Sequence, residues 1–132
     1  MRPVRSTDFG TLANGEAVAA IVLDGPGIEV ELISYGAAIR VLRVPDREGE
    51  LDDVTLALDA LPDYEARLRY FGASVGRYAN RIAGGSFEID GVTYDVGRNN
   101  GPNCLHGGPT GFAGRNWRVV ETGETPRPFA LF

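Results

Sequence analysis

Apolar and polar residues alternate with a period of two along much of the chain. Ile28, Val30 and Leu32 are separated by Glu29 and Glu31, which places one apolar and one charged face on an extended strand. Val54, Leu56 and Leu58 alternate with Thr55, Ala57 and Asp59 and predict a second strand. Ala37 to Val44 is apolar and β-branched, with Arg40 and Arg43 interspersed, and reads as a third. Ala17 to Leu23 is continuously apolar, the pattern of a buried strand, and Asp24-Gly25-Pro26-Gly27 closes it as a turn.

The sharpest local signal is a hairpin over Ser86 to Val96. Asp90-Gly91 lies between Phe87 and Ile89 on one side and Val92, Tyr94 and Val96 on the other. A two-residue turn of this kind needs positive φ at both positions, which Asp and Gly tolerate. Asn116 to Glu121 predicts one more strand, carrying Trp117, Val119 and Val120. Only Leu61 to Leu68 reads as helical, with Pro62 in its first turn, where the missing N–H costs nothing. Arg98 to Gly114 holds five Gly and two Pro and predicts a long loop, a common carrier of function. The whole is one β-rich domain over residues 1–132, with six or seven strands and no internal repeat or linker. The chain ends on Phe129-Ala-Leu-Phe132. Four apolar residues there suggest a terminal strand or a fold that continues further.

With 132 residues, 43% hydrophobic and 23% charged, the chain has the composition of a globular domain with a real core. The 18 Gly and 8 Pro suit many turns between short strands. The net charge is −5, all 13 basic residues are Arg, and no basic run forms a stripe. Nucleic acid is therefore a poor partner, and an anionic membrane surface is disfavoured too. Met1 to Asn14 has no apolar segment of the kind a signal peptide carries, and no run approaches a membrane span. The expectation is a soluble cytoplasmic protein. The single cysteine, Cys104, fits a reducing compartment, and one Cys with one His cannot fill a zinc site. Asp52-Asp53 reads as a solvated strand entrance, because neighbours on a strand point to opposite faces.

Two segments carry the candidate chemistry: Val75-Gly-Arg-Tyr-Ala-Asn-Arg-Ile-Ala-Gly-Gly85 and Arg98-Asn-Asn-Gly-Pro-Asn-Cys-Leu-His-Gly-Gly108. His106 is the only histidine, set in a Gly-rich loop that lets a ligand approach the backbone. Arg77 and Arg81 can be read as surface charges. Yet Arg81 precedes apolar Ile82 and Ala83, where a guanidinium needs a partner or a polar ligand. Asn80 offers an amide that both donates and accepts. From these residue types alone, the site is one for a polar small molecule.

In this order, followed by Gly111-Phe-Ala-Gly-Arg-Asn-Trp117, the segments resemble the N-terminal signature of the aldose 1-epimerases. The upstream stretch from Ile33 to Asp59 is similar to their opening strands, so the resemblance covers about Phe9 to Glu124. It implies an all-β fold, an antiparallel β-sandwich of the galactose mutarotase type, of which this chain is an incomplete, N-terminal part. It implies an isomerase that interconverts α and β anomers of hexoses such as galactose and glucose by general acid–base ring opening, with no metal or organic cofactor. The partner is then a small-molecule aldose. Asn80, Arg81 and His106 match substrate-binding positions, and His106 matches the catalytic histidine of the family's HGG segment. Cys104 stands where many members carry another His, and reads as a buried structural thiol. The family's acid, a second histidine, and its base, a late glutamate, have no match here. A non-catalytic carbohydrate-binding module, or an inactive gene fragment on the same scaffold, is the alternative. Half a sandwich would also leave sheet edges open to self-association.

Overall fold

A computed structural model describes residues 3–66 and 70–132. The N-terminal part is one antiparallel meander. Strands β1 (Val4–Thr11), β2 (Ala17–Gly25), β3 (Ile28–Ile33), β4 (Ala38–Pro45) and β5 (Leu51–Asp53) form a five-stranded sheet in sequence order. Short turns make each strand the neighbour of the next, the low-entropy solution for antiparallel pairs. A short helix follows, α1 (Leu61–Ala66), and with it the predicted helix is present up to Ala66. Arg67 and Leu68, the end of that prediction, lie outside the described residues.

The core sits on β2 and its neighbours. Val18, Ala20, Ile33 and Ala38 pack with Leu12, Leu61 and Tyr64, and Phe9 meets Tyr64 edge to face at 6.2 Å. Ile21, on the opposite face of β2 from Ala20, is also fully buried, so this strand is covered on both sides. The run Ala17 to Leu23 is therefore the buried strand its composition predicts. The alternation of β3 is less sharply expressed. Ile28 is exposed, while Glu29 and Glu31 are half-buried because Arg5 and Arg43 pair with Glu29 and Arg40 pairs with Glu31. Buried Ser34 ties the sheet to the C-terminal part. Its hydroxyl donates to Asn116 Oδ1 at 2.7 Å and accepts from the Ala19 amide at 3.0 Å.

Two predicted strands fall elsewhere. Residues 54–58 form no strand, and Val54 and Leu56 are exposed. The segment touches the β4 edge only at its start, where the Val54 amide donates to the Leu42 carbonyl at 3.0 Å and Thr55 Oγ1 to the Arg40 carbonyl at 2.9 Å; further along, the Ile39 amide is taken by the Gly72 carbonyl at 3.0 Å. The strand expected at Asn116 to Glu121 is reduced to an isolated bridge between Tyr35 and Asn116, and pairing resumes in β10 (Glu121–Gly123). β10 joins β11 (Phe129–Leu131) in a two-stranded sheet, so the apolar C-terminus is strand. Alternation alone cannot say which stretch of an edge is free to pair.

Four further strands lie between these regions: β6 (Arg81–Ile82), β7 (Ser86–Ile89), β8 (Val92–Asp95) and β9 (Cys104–Leu105). The hairpin β7–β8 is as expected, with Asp90 at φ 53° and Gly91 at φ 76°. Phe87 pairs with Tyr94, rings stacked at 5.5 Å, and Ile89 pairs with Val92. All four share one face, and all four are exposed. The described residues hold eleven strands, more than six or seven, because several are only two or three residues long. Among them, no helix is long and apolar enough to cross a membrane.

Candidate functional site

The two segments singled out in the sequence meet. β6 pairs antiparallel with β9, Arg81 opposite Leu105 and Ile82 opposite Cys104. The pairing extends one residue further. The His106 amide donates to the Asn80 carbonyl at 2.9 Å, and the Asn80 amide donates to Nδ1 of the His106 ring at 3.0 Å. Both residues are left-handed, Asn80 at φ 63° and His106 at φ 51°, a conformation that Asn and His tolerate better than most side chains. That bend turns the chain out of the strand pair and presents both side chains at the end of the ladder.

The bond to Nδ1 fixes the ring chemistry. A ring nitrogen that accepts cannot carry the proton, so neutral His106 holds it on Nε2 and offers Nε2–H as a donor. The ring rests against Tyr70, centroids 4.7 Å apart. Tyr70 is held in turn by Asn99, whose amide donates to the Tyr70 hydroxyl at 3.3 Å. Arg81 is oriented from two sides: Nε donates to Asn100 Oδ1 at 2.9 Å and one Nη donates to Asn80 Oδ1 at 3.1 Å. Its guanidinium therefore lies beside the Asn80 amide.

The loop Arg98 to Gly114 is more ordered than a plain loop, since it contains β9 and a 3-10 turn at Phe112–Gly114. Three asparagines build it. Asn99 brackets Leu105, accepting from its amide at 2.7 Å and donating to its carbonyl at 2.9 Å. Asn100 and Asn103 form a bridge around the Gly101-Pro102 turn, and Asn103 Oδ1 accepts from the Gly84 amide at 3.1 Å. The sequence reading passed over Tyr70 and these asparagines. The available signal was the cluster of Asn flanking a Gly-Pro turn, residues that satisfy backbone groups where regular ladders stop.

The glycines after His106 serve close approach. A Cβ at Gly107 would lie 1.8 Å from the Gly76 carbonyl oxygen, and one at Gly111 would lie 2.5 Å from that of His106. The segment around Gly76 thus presses directly on the HGG turn, and the Phe112 amide donates to the Gly76 carbonyl at 3.1 Å. Cys104 is buried, as its reading as a structural thiol requires.

Next to this pair opens a cleft of about 730 Å³, with Arg77, Arg81, Phe87, Cys104, Phe112 and Arg115 among the residues lining it. Arg81 is shared between the cleft and the pair. Asn80 and His106 do not line the cleft, so of the three predicted residues only Arg81 faces it. Asp53 plays a different part: its carboxylate accepts from the amide and hydroxyl of Thr55 and the amide of Leu42, and ties the end of β5 to β4.

Comparison with known proteins gives the family of the chain. The family model for aldose 1-epimerase matches residues 19–131. Galactose mutarotase from Bos taurus is 46% identical over 118 residues, covering 87% of this chain and 34% of that protein. Aldose 1-epimerase from Escherichia coli is 37% identical over 105 residues, covering 80% and 30% respectively. Among solved structures, an aldose epimerase homologue from C. elegans superimposes with a TM-score of 0.67 at 38% identity, covering 74% of this chain and 30% of that one. Galactose 1-epimerase from Lactobacillus acidophilus shares the fold, with a TM-score of 0.76 over 92% of this chain and 35% of that one, at 24% identity. The chain spans about a third of the length of the curated relatives it matches. With its antiparallel sheets, its joined Asn80–Arg81 and His106 segments, and a family match over most of its length, the chain belongs to the aldose 1-epimerase family.

Proposed function

We propose that this chain carries the sugar-contacting part of a mutarotase site, with Asn80, Arg81 and His106 as the residues that hold a hexose such as galactose or glucose. The observation that supports this most directly is the reciprocal bonding of Asn80 and His106 beside the oriented Arg81 guanidinium. Together they offer a ring N–H, a carboxamide and a planar cation within one small area, the mix that matches a polyhydroxyl ring.

In anomer exchange, a base takes the proton of the anomeric hydroxyl while an acid protonates the ring oxygen. The ring opens, the C1–C2 bond rotates, and the ring closes on the other face. His106, with its proton on Nε2, is suited to donate a hydrogen bond to an oxygen of the reacting centre, and Arg81 to hold a neighbouring hydroxyl. His106 is the single histidine, so a second imidazole is not available within these 132 residues. Each acid or base group contributes typically ~10²–10⁴-fold. Binding without fast turnover is therefore the behaviour proposed for the chain alone, which makes a non-catalytic carbohydrate-binding role the second reading. The buried thiol of Cys104 suits a reducing compartment such as the cytoplasm.

The test pairs a galactose titration followed by NMR with polarimetry of freshly dissolved α-galactose. Saturable binding that weakens in His106→Ala, with anomer exchange at the buffer rate, is the expected result. Exchange accelerated over buffer and abolished by His106→Ala would show that these residues suffice for catalysis. No saturable binding would overturn the sugar site.

A further inference from the structure

The bond from the Asn80 amide sets the tautomer of His106 and pins Nδ1. It pins one atom only. The ring can still tilt about that contact, and a tilt of its plane swings Nε2–H, on the far side of the ring, away from a bound oxygen. Tyr70 limits that tilt. Its ring stands 4.7 Å from the imidazole, centroid to centroid, with the two planes 59° apart. Tyr70 is thus a wall against which the imidazole rests, and two contacts of different kinds fix the ring where one does not.

The wall is itself held at both ends. At the tip of the ring, the hydroxyl accepts from the Asn99 carboxamide at 3.3 Å, and the same carboxamide brackets Leu105, the residue before His106. At the backbone, the turn from Tyr70 to Ala73 is locked on the edge of β4. The Ala73 amide donates to the Tyr70 carbonyl at 3.3 Å, and the Ile39 amide donates to the Gly72 carbonyl at 3.0 Å. The approach is so close that a Cβ at Gly72 would lie 1.9 Å from the Ile39 carbonyl oxygen. Half-buried Tyr70 therefore has little room to move. Five non-glycine residues among those described are left-handed, and three of them are Tyr70 at φ 60°, Asn80 and His106. Strain gathered on three linked residues points to a group held for its geometry.

We propose that Tyr70 is a positioning residue: backed by Asn99, it holds the plane of the His106 ring so that Nε2–H is aimed at the bound hexose. The proposal rests on the sugar-binding reading above and adds a residue that acts through His106. The aromatic ring does the positioning, and the hydroxyl anchors that ring to the loop that carries His106.

His106 is the single histidine, so imidazole-nitrogen NMR of the tag-free 132-residue chain reports on this ring alone. At alkaline pH, where an imidazole is neutral, the parent should show one tautomer, protonated on Nε2, and cross-peaks between the His106 and Tyr70 rings. Tyr70→Leu removes the wall. It should move the nitrogen resonances toward the average of the two tautomers and weaken galactose binding about tenfold, the scale of one well-oriented hydrogen bond. Tyr70→Phe keeps the wall and should retain the parent tautomer and most of the affinity. A lower melting temperature in Tyr70→Leu, with the nitrogen resonances of its folded form unmoved, would reduce Tyr70 to a structural role and overturn the proposal. Weaker galactose binding with unmoved resonances would also overturn it, by placing Tyr70 on the sugar itself. Should Tyr70→Leu fail to fold, Tyr70→Met, which fills more of the space, is read in the same way. Absence of ring-to-ring cross-peaks in the parent would overturn the proposal without any variant. Resonances that move as expected in a chain that binds no galactose would uphold the hold on His106 and overturn the sugar reading.

Discussion

The backbone amide of Asn80 donates to Nδ1 of His106 at 3.0 Å, while the His106 amide donates to the Asn80 carbonyl at 2.9 Å. One residue thus sets the tautomer of the other and fixes where its Nε2–H is presented. The pair closes the β6–β9 ladder, so site geometry and strand pairing are the same set of bonds.

This separates two roles of His106 that a single substitution can divide. Asparagine tolerates a positive φ, and its Oδ1 can take the place of Nδ1 as acceptor. His106→Asn should keep nearly the parent melting temperature and lose galactose binding. His106→Ala should lose binding and also about 1–2 kcal/mol of stability, from the lost acceptor and the strained backbone. Thermal melts beside binding titrations check this, and a large destabilisation by Asn would contradict the Nδ1 assignment.

Gly107 admits no side chain. Its φ is +88°, and a Cβ would sit 1.8 Å from the Gly76 carbonyl oxygen. Gly107→Ala should cost roughly 3 kcal/mol or more, since backbone meets backbone and neither can step aside. Gly91→Ala, also at positive φ but with open space around it, should cost only about 1 kcal/mol. Urea unfolding of both variants would measure the difference, and equal losses would show that φ alone matters.

Asp53 makes the end of β5 sensitive to acid. Hydrogen bonds from the Thr55 amide and hydroxyl hold its carboxyl below the ordinary 3.8. A folded value below the unfolded one adds stability above the unfolded value, and that stability disappears as pH falls through the folded value. Asp53→Asn should therefore melt below the parent near neutral pH, with the gap closing in acid. Melting temperature against pH for both proteins checks the sign. Asp46 is lowered by the same kind of contact, chiefly with the Glu50 amide, so some acid sensitivity should persist in the variant.

The exposed face of hairpin β7–β8 bears on solution behaviour. Phe87, Ile89, Val92 and Tyr94 form one apolar strip on a two-stranded ribbon. Such strips promote association. The chain should form concentration-dependent oligomers, and Ile89→Thr with Val92→Thr should shift it toward monomer while keeping β-propensity. Sedimentation velocity over a concentration range distinguishes the two, and a monomeric parent would rule the strip out as a contact.

The sequence by itself determined the local parts of this protein. The Asp90-Gly91 hairpin follows from φ preferences of two adjacent residues, and the buried strand at Ala17 to Leu23 from an unbroken apolar run. The segments around Asn80 and His106 stood out as motifs because their order and spacing are written in the chain. Other features are non-local and were decided by the tertiary structure. Residues 54–58 have a strand's alternation but meet β4 only through Val54 and Thr55, because further along that edge the Ile39 amide is bonded to Gly72. The chain at Asn116 is drawn to Tyr35 and Ser34, which lie some eighty residues earlier in the sequence. Tyr70 against His106 and three arginines around one cleft are likewise invisible in a linear reading. Hydrophobic periodicity records which face a strand turns inward; which partner fills an edge, and which charges share a cavity, depend on distances that exist only once the chain has folded.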